Sequence, residues 1–92
     1  MSAISKLQVC IRGRVQGVGF RNFTRRTALQ QGILGWVRNC EDGSVEAVLH
    51  GSKEAVDQLL VKLKQGPPLS QVEAIEIYED LSEDCFEDFT IR

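Results

Sequence analysis

Apolar and polar residues alternate near the start of the chain. Leu7, Val9 and Ile11 fall on one side of Gln8, Cys10 and Arg12, which predicts a first strand over about Lys6 to Gly13 with one buried face. The period then changes. Phe20, Phe23, Thr27 and Ala28 can share a helical stripe, and Arg25, Arg26, Gln30 and Gln31 are good helix formers. A helix is therefore expected over roughly Asn22 to Gln31, with Asn22 as its cap and Gly32 as its stop. Leu34 to Cys40 reads as a second strand, and the Asp-Gly pair in Glu41-Asp42-Gly43 signals a hairpin. In the third strand, Ser44 to His50, Val45, Ala47 and Leu49 point one way and Ser44, Glu46 and His50 the other.

Ser52 is a favoured helix cap, with Glu54 placed in the first turn. Val56, Leu59, Leu60 and Leu63 recur at helical spacing, and Gly66-Pro67-Pro68 ends that helix. A fourth strand over about Gln71 to Tyr78, an acidic connection, and a last short strand holding Phe86, Phe89 and Ile91 complete the pattern. The order β-α-β-β-α-β with an extra short C-terminal strand is the split β-α-β pattern. It predicts a ferredoxin-like α/β sandwich (α+β), in which right-handed crossovers put both helices on one face of a mostly antiparallel sheet with strands one and three central.

Composition changes this picture little. The 92 residues suggest one domain, 1–92, and 42% hydrophobic content is enough for one modest core. No apolar run approaches the roughly 20 residues of a membrane span. Met1-Ser2-Ala3-Ile4-Ser5-Lys6 lacks the apolar centre of a signal peptide, so a cytoplasmic location is the default expectation. Three cysteines, Cys10, Cys40 and Cys85, without close pairing argue for free thiols rather than a zinc site, and Cys10 is expected to face the core or the helix layer. The net charge of -2 gives no global pull toward nucleic acid. The charge is unevenly spread, however: Arg12, Arg14, Arg21, Arg25 and Arg26 cluster early, while Glu73, Glu76, Glu79, Asp80, Glu83, Asp84, Glu87 and Asp88 crowd the end. Charge runs of this kind are usually solvated faces that partly pair.

The stretch with chemical content is Ile11-Arg12-Gly13-Arg14-Val15-Gln16-Gly17-Val18-Gly19-Phe20-Arg21. A strand, a glycine-rich loop and a helix start in succession make the layout of an anion cradle. Glycines let the backbone turn its N–H groups toward a ligand, and the positive end of the helix dipole lies close by. The Arg21 guanidinium can bind a phosphate through two parallel hydrogen bonds. The loop has no lysine, so it is not a nucleotide P-loop. Asn22 stands where a dinucleotide fingerprint needs its third glycine. The central strands carry Leu, Val, Ala and Cys rather than the interleaved aromatics of an RNA-binding sheet. A purely structural strand-to-helix turn remains an alternative on glycine content alone. A second stretch, Gly35-Trp36-Val37-Arg38-Asn39 leading to Gly43, Val45 and Gly51, places Asn39 at a strand end. There its amide can donate and accept at once, although, taken alone, a turn asparagine before the hairpin is the better reading.

Taken together, in this order and spacing, the two stretches resemble the two signatures of the acylphosphatase family, and the resemblance extends over essentially the whole chain. It implies a metal-free and cofactor-free hydrolase, acting on phosphorus-containing anhydrides, that cleaves the carboxyl-phosphate bond of small acyl phosphates and releases inorganic phosphate. It implies that Arg21 binds the phosphoryl group and Asn39 orients the attacking water. The backbone N–H groups of Gln16, Gly17, Val18, Gly19 and Phe20 would cradle the phosphate oxygens. Asn22 and Cys40 depart locally from the family pattern beside the site. The expected protein is a monomer that binds neither nucleic acid nor membrane; the alternative is a non-catalytic anion-binding ferredoxin-like regulatory module.

Overall fold

The computed structural model describes residues 3–92; Met1 and Ser2, part of the stretch read against a signal peptide, lie outside the described residues. The elements are β1 (Ile4–Arg14), α1 (Phe20–Gln30), β2 (Leu34–Asn39), β3 (Val45–Ser52), α2 (Lys53–Gln65), β4 (Gln71–Glu79) and β5 (Phe89–Ile91). The sheet order is β4-β1-β3-β2-β5, so β1 and β3 are interior as expected. β1 pairs antiparallel with both β3 and β4, and β3 pairs antiparallel with β2; only β2 and β5 run parallel. β1 and β2 thus point the same way with β3 between them, and β3 and β4 do so with β1 between them. Each is a split β-α-β unit. Among the described residues, no helix is long and apolar enough to cross a membrane.

The period-two pattern sets which side of the sheet is covered. Val9 and Ile11 of β1, Val37 of β2 and Val45, Ala47 and Leu49 of β3 are fully buried, in one cluster with Phe20 and Ala28 of α1 and Val56, Leu59 and Leu63 of α2. Both helices therefore share one face. At about 25 cal/mol per Å² of apolar surface removed from water, this cluster is the main source of stability. Gly35 is forced by packing: its φ is 139°, and a Cβ there would collide with the Val48 carbonyl across the ladder.

Several boundaries differ from the sequence reading. β1 starts earlier, at Ile4, and β3 runs on to Ser52. α1 starts at Phe20 because Gly19, at φ 78° and ψ 20°, is its N-cap, with no side chain to cap the helix. Asn22 is therefore not the cap but a residue of the first turn. Gly32, at φ 70°, stops α1 as expected. Cys10 does not face the core or the helices: it alternates with Val9 and Ile11 and is half-buried on the opposite face of the sheet. Phe86 is not in the last strand; it lies before β5, edge-on to the His50 ring with centroids 5.0 Å apart.

Candidate active site

β1 ends at Arg14, and the chain bends through residues 16–19 before α1 begins. Val15 and Phe20 are buried at either end and pin the loop to the core. Gly17 and Gly19 have φ of 74° and 78°, values that a side chain makes costly. A Cβ on either would meet nothing within 4 Å, so these positions are glycine for their backbone conformation, not for lack of room. The first backbone N–H here to find a backbone acceptor is that of Phe23, on the Gly19 carbonyl at 3.0 Å. Among the described residues, the N–H groups of 16–22 make no backbone hydrogen bond. With no acidic residue in the first turn, the positive end of α1 is left bare.

Arg21 is exposed on that first turn and, among the described residues, takes part in no ion pair. Its neighbours in the early arginine cluster differ. Arg12 bridges Glu76 at 2.7 Å and Asp42 at 3.2 Å, and the Arg25 Nε donates to the Phe89 carbonyl at 3.1 Å. The partial pairing of basic and acidic segments expected from the sequence is visible in the Arg12–Glu76 bridge.

Asn39 is the last residue of β2, half-buried and paired with Val45. Val45 also pairs with Ile11, so β1 and β2 flank β3 here, about 10 Å apart. Because β1 and β2 are parallel, the loop after Arg14 and the residue Asn39 emerge at the same end of the sheet. The tie between them is Gln16. Its Nε2 donates to the Cys40 carbonyl at 2.7 Å and to the Ser44 carbonyl at 2.9 Å. The turn that it grips is itself closed: the Cys40 N–H donates to Ser44 at 2.8 Å, and the Gly43 N–H donates to Cys40 at 3.2 Å. Asp42 locks it, its Oδ1 accepting from the Ser44 hydroxyl at 2.6 Å and the Ser44 N–H at 3.0 Å. The Ser44 hydroxyl first, then the Ser44 N–H and the Arg12 guanidinium, pull the Asp42 carboxyl down to about 2. Since this carboxyl sits below its unfolded value, the stabilisation is full above the usual carboxylate range and is lost as pH falls from that range down to about 2.

Other reactive side chains lie elsewhere. His50 is near the far end of β3, about 17 Å along the strand from Val45, and its Nε2 is 2.6 Å from Asp80 Oδ2. Burial pushes the Asp80 carboxyl up, but hydrogen bonds from His50 and Ser82 outweigh it and hold the group below its ordinary value. Cys10, Cys40 and Cys85 are free thiols, as their number suggested. Among the described residues, no three His, Cys, Asp or Glu side chains converge. A groove of about 450 Å³ runs over the opposite sheet face between Gln8, Trp36, Arg38, Asn39, Glu46 and Arg92. A small tetrahedral anion held by backbone donors needs no deep cavity, so depth is a poor guide to this site.

The structure thus brings together residues 16–21 and, through the Gln16 side chain, the hairpin that carries Asn39. The sequence reading had used Gln16 only for its backbone N–H. Its side-chain partners lie 24 and 28 positions away, and no local pattern signals such a contact.

The fold and this end of the sheet define a class: a small ferredoxin-like sandwich that presents a bare helix N-terminus from a glycine loop, beside a hairpin asparagine. The acylphosphatase family profile matches residues 7–91, and the chain belongs to that family as one of its enzymes. It is 48% identical over 87 residues to the acylphosphatase of Syntrophotalea carbinolica, covering 95% of each chain. Among solved structures it resembles an acylphosphatase from Bacillus subtilis, with TM-score 0.91 and 34% identity over 98% of this chain and 99% of that one. It also resembles a segment of full-length HypF in its phosphate- and nucleotide-bound form, with TM-score 0.86 and 26% identity; the match covers all of this chain and 12% of that one.

Proposed function

We propose that residues 1–92 act as one domain that hydrolyses the carboxyl-phosphate bond of acyl phosphates, with the phosphate at the glycine loop and the water at Asn39. The observation that carries this reading is the unbroken run of unpartnered backbone N–H groups over 16–22, anchored beside Asn39.

The N–H groups of Gln16, Gly17, Val18, Gly19 and Phe20, with the Arg21 guanidinium, bind the three non-bridging phosphate oxygens. Charge spreads over these oxygens in the transition state, so fixed donors aimed at them lower the barrier. The Asn39 amide holds a water on the side of phosphorus opposite the acyl oxygen. The water oxygen bonds to phosphorus as the bond from phosphorus to the acyl oxygen breaks, and the electron pair leaves on the carboxylate. The water's protons end on the phosphate, giving carboxylate and inorganic phosphate. A carboxylate is a stable leaving group, so no general acid is needed, in keeping with the position of the lone histidine on Asp80.

Release of phosphate from benzoyl phosphate, with and without EDTA, tests the reading. Equal turnover in both supports metal-free hydrolysis. Arg21→Gln is expected to weaken competitive inhibition by inorganic phosphate and to reduce turnover by about 10² to 10³. Asn39→Ala is expected to lose turnover while phosphate inhibition is kept; near-full kcat in that variant refutes the water-orienting role. If phosphate shifts the loop amides in NMR spectra but no acyl phosphate is hydrolysed, the protein is the non-catalytic anion-binding module instead.

A further inference from the structure

We propose that the Gln16 side chain is a positioning residue that sets the distance and angle between the phosphate loop and Asn39. This rests on the reading above, in which loop and asparagine hold the two reacting partners. A primary amide has two N–H donors. Here both go to carbonyls of one turn, Cys40 at 2.7 Å and Ser44 at 2.9 Å. Those two residues also close the turn through the Cys40 N–H on Ser44. Gln16 therefore grips the base of the hairpin at both sides, at the residue directly after Asn39.

Among the described residues, no other hydrogen bond or ion pair ties the loop to this turn. Its backbone N–H groups find no backbone acceptor, and its buried ends, Val15 and Phe20, hold it to the core rather than to the turn. The links from β1 itself to the hairpin, the ladder to β3 up to Ile11–Val45, Gln8 to Glu46 and the exposed Arg12 to Asp42, all lie before the loop. On the hairpin side, the Asp42 lock keeps the turn rigid, so a grip on Cys40 and Ser44 is a grip on the end of β2. In-line attack depends on where the water stands relative to phosphorus. A misplacement of about 1 Å costs on the order of 10² in rate. Binding of phosphate alone uses only the loop half and depends less on the tie.

The test is a double-mutant cycle on benzoyl phosphate with Gln16→Met, which keeps the side-chain length and removes both donors, and Asn39→Ala. Gln16→Met is expected to lower kcat by about 10 to 10² while KM and the inhibition constant for inorganic phosphate move less than about threefold. Added to Asn39→Ala, it is expected to cost little further, since it acts through Asn39. In ¹⁵N spectra, phosphate is expected to shift both the loop amides and the Asn39 side-chain amide of the parent, but only the loop amides of Gln16→Met. An additive loss in the cycle, or an unchanged Asn39 shift, overturns the proposal. Gln16→Glu provides a check on any variant that folds poorly. Its carboxylate repels the two carbonyls, whereas the protonated form donates one hydrogen bond. Its kcat relative to Gln16→Met is expected to rise as pH falls toward about 5, and a flat ratio counts against the tie. The two readings fail differently. An active Asn39→Ala overturns the reaction mechanism, while an inactive Asn39→Ala with a fully active Gln16→Met overturns only the tie.

Discussion

The molecule makes the strand-to-helix junction twice, and the two junctions differ. Between β3 and α2 there is no loop: β3 ends at Ser52 and α2 begins at Lys53. The Ser52 hydroxyl accepts from the Ala55 N–H at 3.1 Å, Glu54 stands in the first turn, and Lys53 pairs with Asp57 at 2.8 Å. Between β1 and α1 there are five residues, the cap is a glycine with no side chain, and the first turn has no acid. Because β1 and β3 are antiparallel, the two helix starts lie at opposite ends of the sandwich. One end is closed by its own chain. At the other, the corresponding backbone donors find no backbone acceptor among the described residues. Symmetry of topology therefore says little about function; the difference lies in whether the chain supplies an acceptor.

The contrast can be broken or sharpened by substitution. The largest expected effect is on turnover: Arg21→Gln loses about 10² to 10³, while Lys53→Gln, in the first turn of α2, leaves steady-state rates unchanged. Next is Gly19→Ala. It forces a side chain into a left-handed cap, at a cost of about 1 to 2 kcal/mol, and reshapes the donors, so both the thermal midpoint and kcat/KM fall. Ser52→Ala is expected to cost about 1 kcal/mol, or roughly 4 to 8 °C in Tm for a chain of this size, with kcat/KM intact. The smallest is Asn22→Asp, which gives α1 the first-turn acid that α2 already has. It should raise stability by about 0.3 to 1 kcal/mol while weakening phosphate inhibition a few-fold, and tighter phosphate binding would count against an anion at this end.

The elements of the fold were legible because their signals are local. Alternation in Leu7, Val9 and Ile11, the Asp42-Gly43 turn, the Ser52 cap and the Gly66-Pro67-Pro68 stop each act within a few residues. The α1 start was misread for a physical reason. Asn22 has the chemistry of a cap, but the left-handed Gly19 turns the chain into helical geometry three residues sooner. The side assigned to Cys10 required the strand phase, which Val9 and Ile11 supply; the thiol simply falls on the other face. The loop and Asn39 were visible as types of residue at a spacing. The Gln16 grip was not, because two carbonyls more than twenty positions away carry no side-chain signature. The His50–Asp80 contact was hidden in the same way, its partners being thirty positions apart.

The central place of β1 has a consequence for how the protein is made. Its neighbours are β3 and β4, so Ile4 must find Ser52 and Arg14 must find Gln71. Among these five strands β1 is made first yet is fully paired only once β4 is made, and closing such long loops before any contact rewards them makes folding slow. The phosphate loop begins where β1 ends, and its tie to the hairpin spans a further stretch of chain. The two halves are held side by side only once β1, β3 and β2 have paired. Recovery of hydrolysis after dilution from denaturant should therefore track the slowest folding phase, with no active species in advance of it.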